Sequence, residues 1–386
     1  MGFTAIWISP IVQNVVGDTV DGAGYHGYWA QNIYEVNPNF GTSADLKALS
    51  AALHARGMYL MVDVVTNHMG YVGCGDCVDY SIYTPFDSKS YFHPFCFIDY
   101  SNVTSIQVCW EGSNVVSLPD LRTEDANRGV YIVGEVYNGD PTWTCPYQKF
   151  LDGLLNYPAY YWITQAFQSV NGSISNLATG INTMISTCSD TTLLGSFIEN
   201  HDLARFASLT SDIALAKNAI AFTILADGIP IIYQGQEQHL SGAGVPQNRE
   251  AIWLNSNSYS QTGTLYKFIK SINQIRNRAV AVDPSYVTYN ARSVYSDEDT
   301  IVMRKGLAGK QIVGVFGNWG SDGAAKTLTL ARNQTGFDPA VKVVDAVTCT
   351  VYTTEQSGNL QVSIEDGAPR VLYPWGKLGG SGVCGF

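Results

Sequence analysis

Short, unbroken apolar runs alternate with stretches of helical period over roughly the first 280 residues, and this alternation limits the folds open to the chain more than any other feature. The runs are Phe3–Ser9, Tyr59–Val65, Val130–Val136, Gly153–Leu155, Leu193–Ile198 and Ile229–Tyr233. Runs that are apolar throughout predict parallel strands buried on both faces. Helical patterns cover Ser43–Arg56, Ala159–Ser169, Ile174–Ser186 and Ile213–Leu225; Ser43 reads as the cap of the first, and Arg56-Gly57 as its close. Strand, helix, strand in this order predicts an α/β fold of the (β/α)8 TIM-barrel type. From Tyr286 the texture changes. Thr300–Lys305, Gln311–Phe316, Lys326–Ala331 and Val341–Val347 alternate between turn-forming residues, which predicts a C-terminal antiparallel β domain.

Two places break the barrel pattern. Met69 to Leu121 is rich in Gly, Tyr, Ser and Cys and has no helical period, as expected of a small domain inserted after a barrel strand. Only Arg122 to Gly129 then precede the next strand, too few for a crossover helix, which needs roughly 10–12 residues. Six barrel-type strands result, and eight are needed to close such a barrel. The expected organisation is barrel over 1–68, insertion over 69–121, barrel again over 122–285 and β domain over 286–386.

A formal net charge of −11 with no Lys/Arg cluster argues against nucleic acid or an anionic membrane as partner. The longest apolar run, Ala219–Tyr233, is broken by Asp227, Gly228 and Pro230 and is too short to span a bilayer. Eight cysteines, at 74, 77, 96, 109, 145, 188, 349 and 384, form no metal-ligand spacing and point to disulfides and an extracellular setting. The sequons at Asn102, Asn171 and Asn333 agree with secretion and glycosylation. Met1 leads straight into an apolar strand with no signal peptide, so a leader is expected to be missing.

Polar residues gather where the apolar strands end, and the carboxyl ends of barrel strands are where catalysis is placed. Tyr59–Val65 leads into Asn67 and His68; Val130–Val136 carries Glu135; Leu193–Ile198 leads into Glu199-Asn200-His201-Asp202. Glycoside cleavage needs a carboxylic acid to protonate the leaving oxygen and a second carboxylate opposite it. Glu135 fits the proton donor, since an apolar strand would desolvate it and raise its pKa. Asp202 fits the stabilisation of positive charge at the sugar ring. His26, His68 and His201 offer hydrogen bonds to sugar hydroxyls, and Tyr28 and Trp29 offer stacking faces.

With these motifs the chain resembles the fungal alpha-amylases of the Taka-amylase type, a family of retaining starch-degrading barrels. The resemblance rests on Gly24–Trp29, Asp63–His68, Ser117–Leu121, Gly134-Glu-Val136, Phe197–Asp202, Gly228–Glu237 and Asn248–Ala251. It implies a (β/α)8 barrel with a calcium-binding domain inserted after the third strand, and a C-terminal β-sandwich. It also implies a starch- or glycogen-type α-glucan substrate and a monomer. Glu135 is then the general acid/base and Asp202 the transition-state stabiliser, with His26, Tyr28, His68, His201 and Arg249 touching substrate. Asn67 and Asp120 match side-chain calcium ligands, and a backbone carbonyl near Gln107 matches another. The disulfides implied are Cys96–Cys109, Cys145–Cys188 and Cys349–Cys384. Cys74 and Cys77 remain, as an extra local disulfide or, less in keeping with their surroundings, a redox pair.

The sequence departs from the family in one place that bears on chemistry. The family carries about forty residues between the Leu-Pro-Asp-Leu and Gly-Glu-Val motifs, including a fourth strand with an Arg-x-Asp nucleophile. Here Leu121 and Gly134 are thirteen steps apart and no Arg-x-Asp occurs. A retaining mechanism needs that carboxylate. Two expectations therefore stand side by side: an endo-acting hydrolase of α-1,4-glucan, and an inactive remnant that binds glucan or nothing.

Overall fold

The computed structural model describes residues 1–122, 131–254 and 259–386. The residues of the short 122–129 connection, all but Arg122, lie outside that set, as does Val130 of the expected strand. The chain divides into two compact units, residues 3–129 and residues 1–2 with 130–386.

In the first unit, β1 (Ala5–Ile8), β2 (Val12–Asn14) and β3 (Ala30–Val36) precede α1 (Ser43–His54) and β4 (Tyr59–Val62). β1 and β4 pair in parallel, Ala5 opposite Tyr59 through Ile8 opposite Val62, so β1, α1 and β4 form a βαβ unit. The cap of α1 is Thr42, not Ser43. Its hydroxyl accepts from Asp45 N while the Asp45 carboxylate accepts from Thr42 N, a reciprocal box that Ser43 has no acidic partner to make. The burial expected of these strands is not found: Ile6 is 41%, Trp7 37% and Tyr59 72% exposed. Among the described residues this ribbon has two strands only, so its faces lack the neighbours that would cover them.

The segment 69–121 holds a three-stranded antiparallel sheet and a short helix α2 (Val103–Val108). Its apolar side chains Met69, Tyr83, Phe92, Trp110 and Leu121 share one core with Ala30 of β3. Cys74–Cys77 and Cys96–Cys109 are disulfide-bonded within it.

In the second unit, β5 (Val133–Gly134), β6 (Gly153–Leu154), β7 (Gly195–Ser196) and β8 (Ile229–Pro230) run as short parallel strands. A parallel bridge between Leu155 and Gly195 joins the two pairs into one arc. Helices α3 (Tyr157–Phe167), α4 (Ile174–Thr187), α5 (Ile213–Leu225) and α6 (Thr264–Val282) belong to the same unit. α5 is buried almost all round, as a helix with apolar residues on every face requires. Its buried amide, Asn218, donates to Ala214 O and Gly367 O and accepts from Gly317 N, which ties the helix to the C-terminal β domain.

That domain contains β9 (Arg292–Ser296), β10 (Thr300–Lys305), β11 (Ile312–Gly317), β12 (Lys326–Leu330), β13 (Lys342–Asp345), β14 (Val351–Thr353), β15 (Leu360–Ile364) and β16 (Arg370–Pro374). A six-stranded sheet in the order β9-β10-β11-β16-β13-β14 and a β12-β15 pair enclose one core, which makes a sandwich. Leu360, Val362 and Ile364 point into it while Gln361 and Ser363 face out, the period of two that the sequence shows. Cys145–Cys188 and Cys349–Cys384 are also bonded, so all four expected disulfides form.

Candidate active site

In the second unit, the parallel register decides which side chains meet. Leu155 N donates to Gly134 O, and Asn156 N to Gly195 O, so β5, β6 and β7 end side by side. Past those ends lie Glu135, Asn156-Tyr157 and the Glu199–Asp202 loop. Gly134 lets Leu151 pack close there: a Cβ would sit 2.2 Å from Leu151 Cδ1, and the leucine would have to turn aside. Asn156 caps α3 by accepting from Ala159 N, which sets Tyr157 in the first turn with its ring fully buried. The Tyr157 hydroxyl donates to Glu135 Oε1 and accepts from Asn200 Nδ2. Glu135 itself is exposed, contrary to the desolvation that its strand predicts. The strand stops at Gly134, and the carboxylate stands beyond it.

The Asn200 carbonyl accepts from Asp202 N and Leu203 N, both at 2.9 Å, a tight side-chain turn that fixes the loop. Asp202 is then gripped from two sides, by His201 Nε2 at 3.1 Å and by Arg249 Nη2 at 2.7 Å. Burial works to raise the Asp202 pKa, but the hydrogen bonds and charges of His201 and Arg249 prevail and hold it below the usual carboxylate range. Arg249 Nε and Asn248 Nδ2 also donate to His201 O. Behind the loop, Glu199 pairs with the fully buried Arg205, whose guanidinium lies 4.5 Å over the Tyr233 ring. Burial pushes the Glu199 carboxyl up to about 7, against the pull of Phe206 N and Arg205.

In the first unit, His26, Tyr28, Trp29 and His68 form one cluster. His26 Nδ1 accepts from Tyr28 N at 3.0 Å, and its ring meets Trp29 edge-on at 4.6 Å. Tyr28 donates to Asp63 Oδ2 at 2.8 Å. His68 Nε2 lies 3.1 Å from Tyr28 O, and burial holds the imidazole below its ordinary pKa despite Glu111 nearby. Gly27 makes the bend possible: its φ is +93°, and a Cβ would come 2.4 Å from Pro10 O.

Asn67 and Asp120 are also brought together, since Leu121 N donates to Asn67 O at 2.8 Å and His68 bridges Asp120. Asp120 is buried, and its Oδ2 lies 2.6 Å from His93 Nδ1. Gln107 sits exposed on α2. No cluster of three or more His, Cys, Asp or Glu side chains able to hold a metal occurs among the described residues.

Sequence reasoning missed Tyr157 and the role of Asn200. Tyr157 was legible in one respect only: it comes just after a strand end, where barrel chemistry is placed. It falls between the expected strand Gly153–Leu155 and the expected helix Ala159–Ser169, whereas the helix begins at Tyr157 itself.

Parallel strands ending in catalytic-type carboxylates, with an antiparallel C-terminal sandwich, define a glycoside hydrolase of the TIM-barrel class. The family description "Alpha amylase, catalytic domain" matches residues 1–99 and 117–264, and "Alpha-amylase, domain C" matches 293–386. "Alpha-amylase 2" of Schwanniomyces occidentalis is 46% identical over 427 aligned positions, covering 100% of this chain and 83% of that protein. "Alpha-amylase 1" of Lipomyces kononenkoae is 50% identical, covering 100% of this chain and 68% of that one. The solved alpha-amylase of Malbranchea cinnamomea superposes with a TM-score of 0.94 at 43% identity, over 99% of this chain and 88% of that one. This chain belongs to the alpha-amylase family, and its fold is the family's barrel with a C-terminal β domain. A 427-position alignment to 386 residues leaves at least 41 positions of the Schwanniomyces protein without a counterpart here.

Proposed function

We propose that this chain cleaves α-1,4-glucosidic bonds within starch- or glycogen-type glucan, with Glu135 as general acid/base and Asp202 stabilising positive charge at the anomeric carbon. One observation carries the reading: the Glu135 carboxylate is joined through the Tyr157 phenol and the Asn200 side chain to the backbone N–H of Asp202, which sets the two acids of neighbouring strand ends in one hydrogen-bonded chain. Both charges also bear on the Tyr157 phenol. Asp202, held ionised by His201 and Arg249, suits an electrostatic role. Arg249 and His201 would orient the sugar at this end, while His26, Tyr28, Trp29 and His68 supply hydrogen-bonding and stacking groups for glucan. The relatives aligned over the whole of this chain bear the amylase name, and four disulfides suit a secreted enzyme, which we take to act as a monomer.

The carboxylate that would attack the anomeric carbon is not identified. No Arg-x-Asp sequence occurs in the chain, and this single observation favours the second reading, a chain that binds glucan without cleaving it. The comparisons give that reading no support. Soluble starch incubated with purified protein separates the two: release of reducing ends with an α-configured first product supports the hydrolase. Binding of maltoheptaose without release supports the remnant.

Calcium fits in part. Asn67 and Asp120 lie on paired backbone segments and each carries a side-chain oxygen donor; a calcium ion takes six to eight, so backbone carbonyls, including one near Gln107, and water would complete the shell. Bound there, the ion would pin the start of the loop after β4 to the end of the 69–121 segment.

A further inference from the structure

We propose that Tyr157 is a positioning residue for Glu135: its phenol holds Oε1 of the carboxyl, so that Oε2 is the oxygen that delivers the proton to the glycosidic bond. This rests on the reading of Glu135 as the acid. The geometry leaves the phenol one arrangement. The Asn200 carbonyl is occupied by Asp202 N and Leu203 N, so its amide nitrogen is the end that faces Tyr157, and it donates to the phenol oxygen at 3.2 Å. The phenol's single hydrogen is then directed at Glu135 Oε1. Burial, and next the Glu135 charge, hold this phenol far above its ordinary pKa, so it stays a donor through the working pH range. The ring is fixed by Tyr137 at 4.5 Å, Phe197 at 5.2 Å and Tyr160 at 6.3 Å.

The Tyr157 donor fixes one oxygen of a carboxylate that stands exposed at a strand end. During cleavage the Oε2 proton passes to the glycosidic oxygen. The bond from that oxygen to the anomeric carbon breaks, and its electron pair stays on the departing hydroxyl. Glu135 is left as a carboxylate whose new charge is met at Oε1 by the Tyr157 donor. The water that finally adds to the anomeric carbon returns a proton to Glu135, which closes the cycle.

The test compares two substrates in three proteins. Soluble starch needs its leaving oxygen protonated; α-maltotriosyl fluoride leaves as fluoride with little help. Tyr157→Phe keeps the ring packing and removes one charge-assisted hydrogen bond. It is expected to lower kcat on starch about 10- to 100-fold with KM nearly unchanged, and to leave the fluoride rate within about threefold. Glu135→Gln should show the same selectivity, larger. Equal losses on both substrates, or none, in Tyr157→Phe while Glu135→Gln remains selective overturn the positioning role. A Glu135→Gln variant without selectivity overturns the acid assignment instead. A readout free of turnover is the carbon NMR titration of ¹³C-labelled Glu135. Loss of a donor to the carboxylate should move its midpoint upward in Tyr157→Phe, and an unmoved midpoint contradicts the proposal.

Discussion

β1 in the first unit and β11 in the C-terminal sandwich are both short apolar runs, yet β1 is largely exposed and all six residues of β11 are buried. The difference lies in the partners, not in the strands. β11 is hydrogen-bonded on both edges, by β10 and β16, and its side chains share a core with β12 and β15. Among the described residues β1 has β4 alone. An apolar run thus specifies a buried strand only where the rest of the chain supplies neighbours on its edges and faces.

The largest expected effect sharpens that contrast. Ile312→Ala, at a site 2% exposed, should cost about 2–5 kcal/mol, whereas Ile6→Ala should cost less than about 1 kcal/mol. Urea unfolding of both variants checks this, and similar losses would mean that β1 is packed as tightly as β11.

A second effect is electrostatic. The Glu199 carboxyl titrates near 7 when folded against 4.5 unfolded. Its contribution to stability is therefore fully present below about 4.5 and is lost as the pH rises through about 7, roughly 3 kcal/mol in all. Glu199→Gln, neutral at every pH, should flatten the fall in thermal midpoint between pH 5 and pH 8. A variant with the wild-type slope would place the pH dependence elsewhere.

The smallest effect concerns the first unit. Calcium at tenfold over its Kd should stabilise by about 1.4 kcal/mol, and Asp120→Asn should weaken the response to chelator. A melting temperature unmoved by millimolar calcium or by chelator counts against the Asn67–Asp120 site.

How much the sequence disclosed divides along the same line. The run Ile213–Leu225 matches its helix end to end, and Thr300–Lys305 its strand, because both sit among partners that enforce their periods. The barrel strands shrink to two to four residues each, since apolar character continues beyond the point where a neighbour is available to pair. Glu135, His201 and Asp202 were legible as polar residues at strand ends, and Arg249 only through the family resemblance. Tyr157 was not, because a buried aromatic ring in a helix looks the same in sequence whether or not its hydroxyl meets a carboxylate. The apolar character of its strand predicts a desolvated Glu135, but exposure depends on how the chain packs beyond the strand end, which composition does not encode.

The central claim is that Glu135 protonates the glucan's leaving oxygen. Initial rates of soluble-starch hydrolysis by the wild-type chain and by Glu135→Gln, with both checked for an unchanged fold by circular dichroism, test it most directly. Measurable hydrolysis by the wild type and a fall of about 10²–10⁴-fold in the variant are expected. A variant as active as the wild type would contradict it.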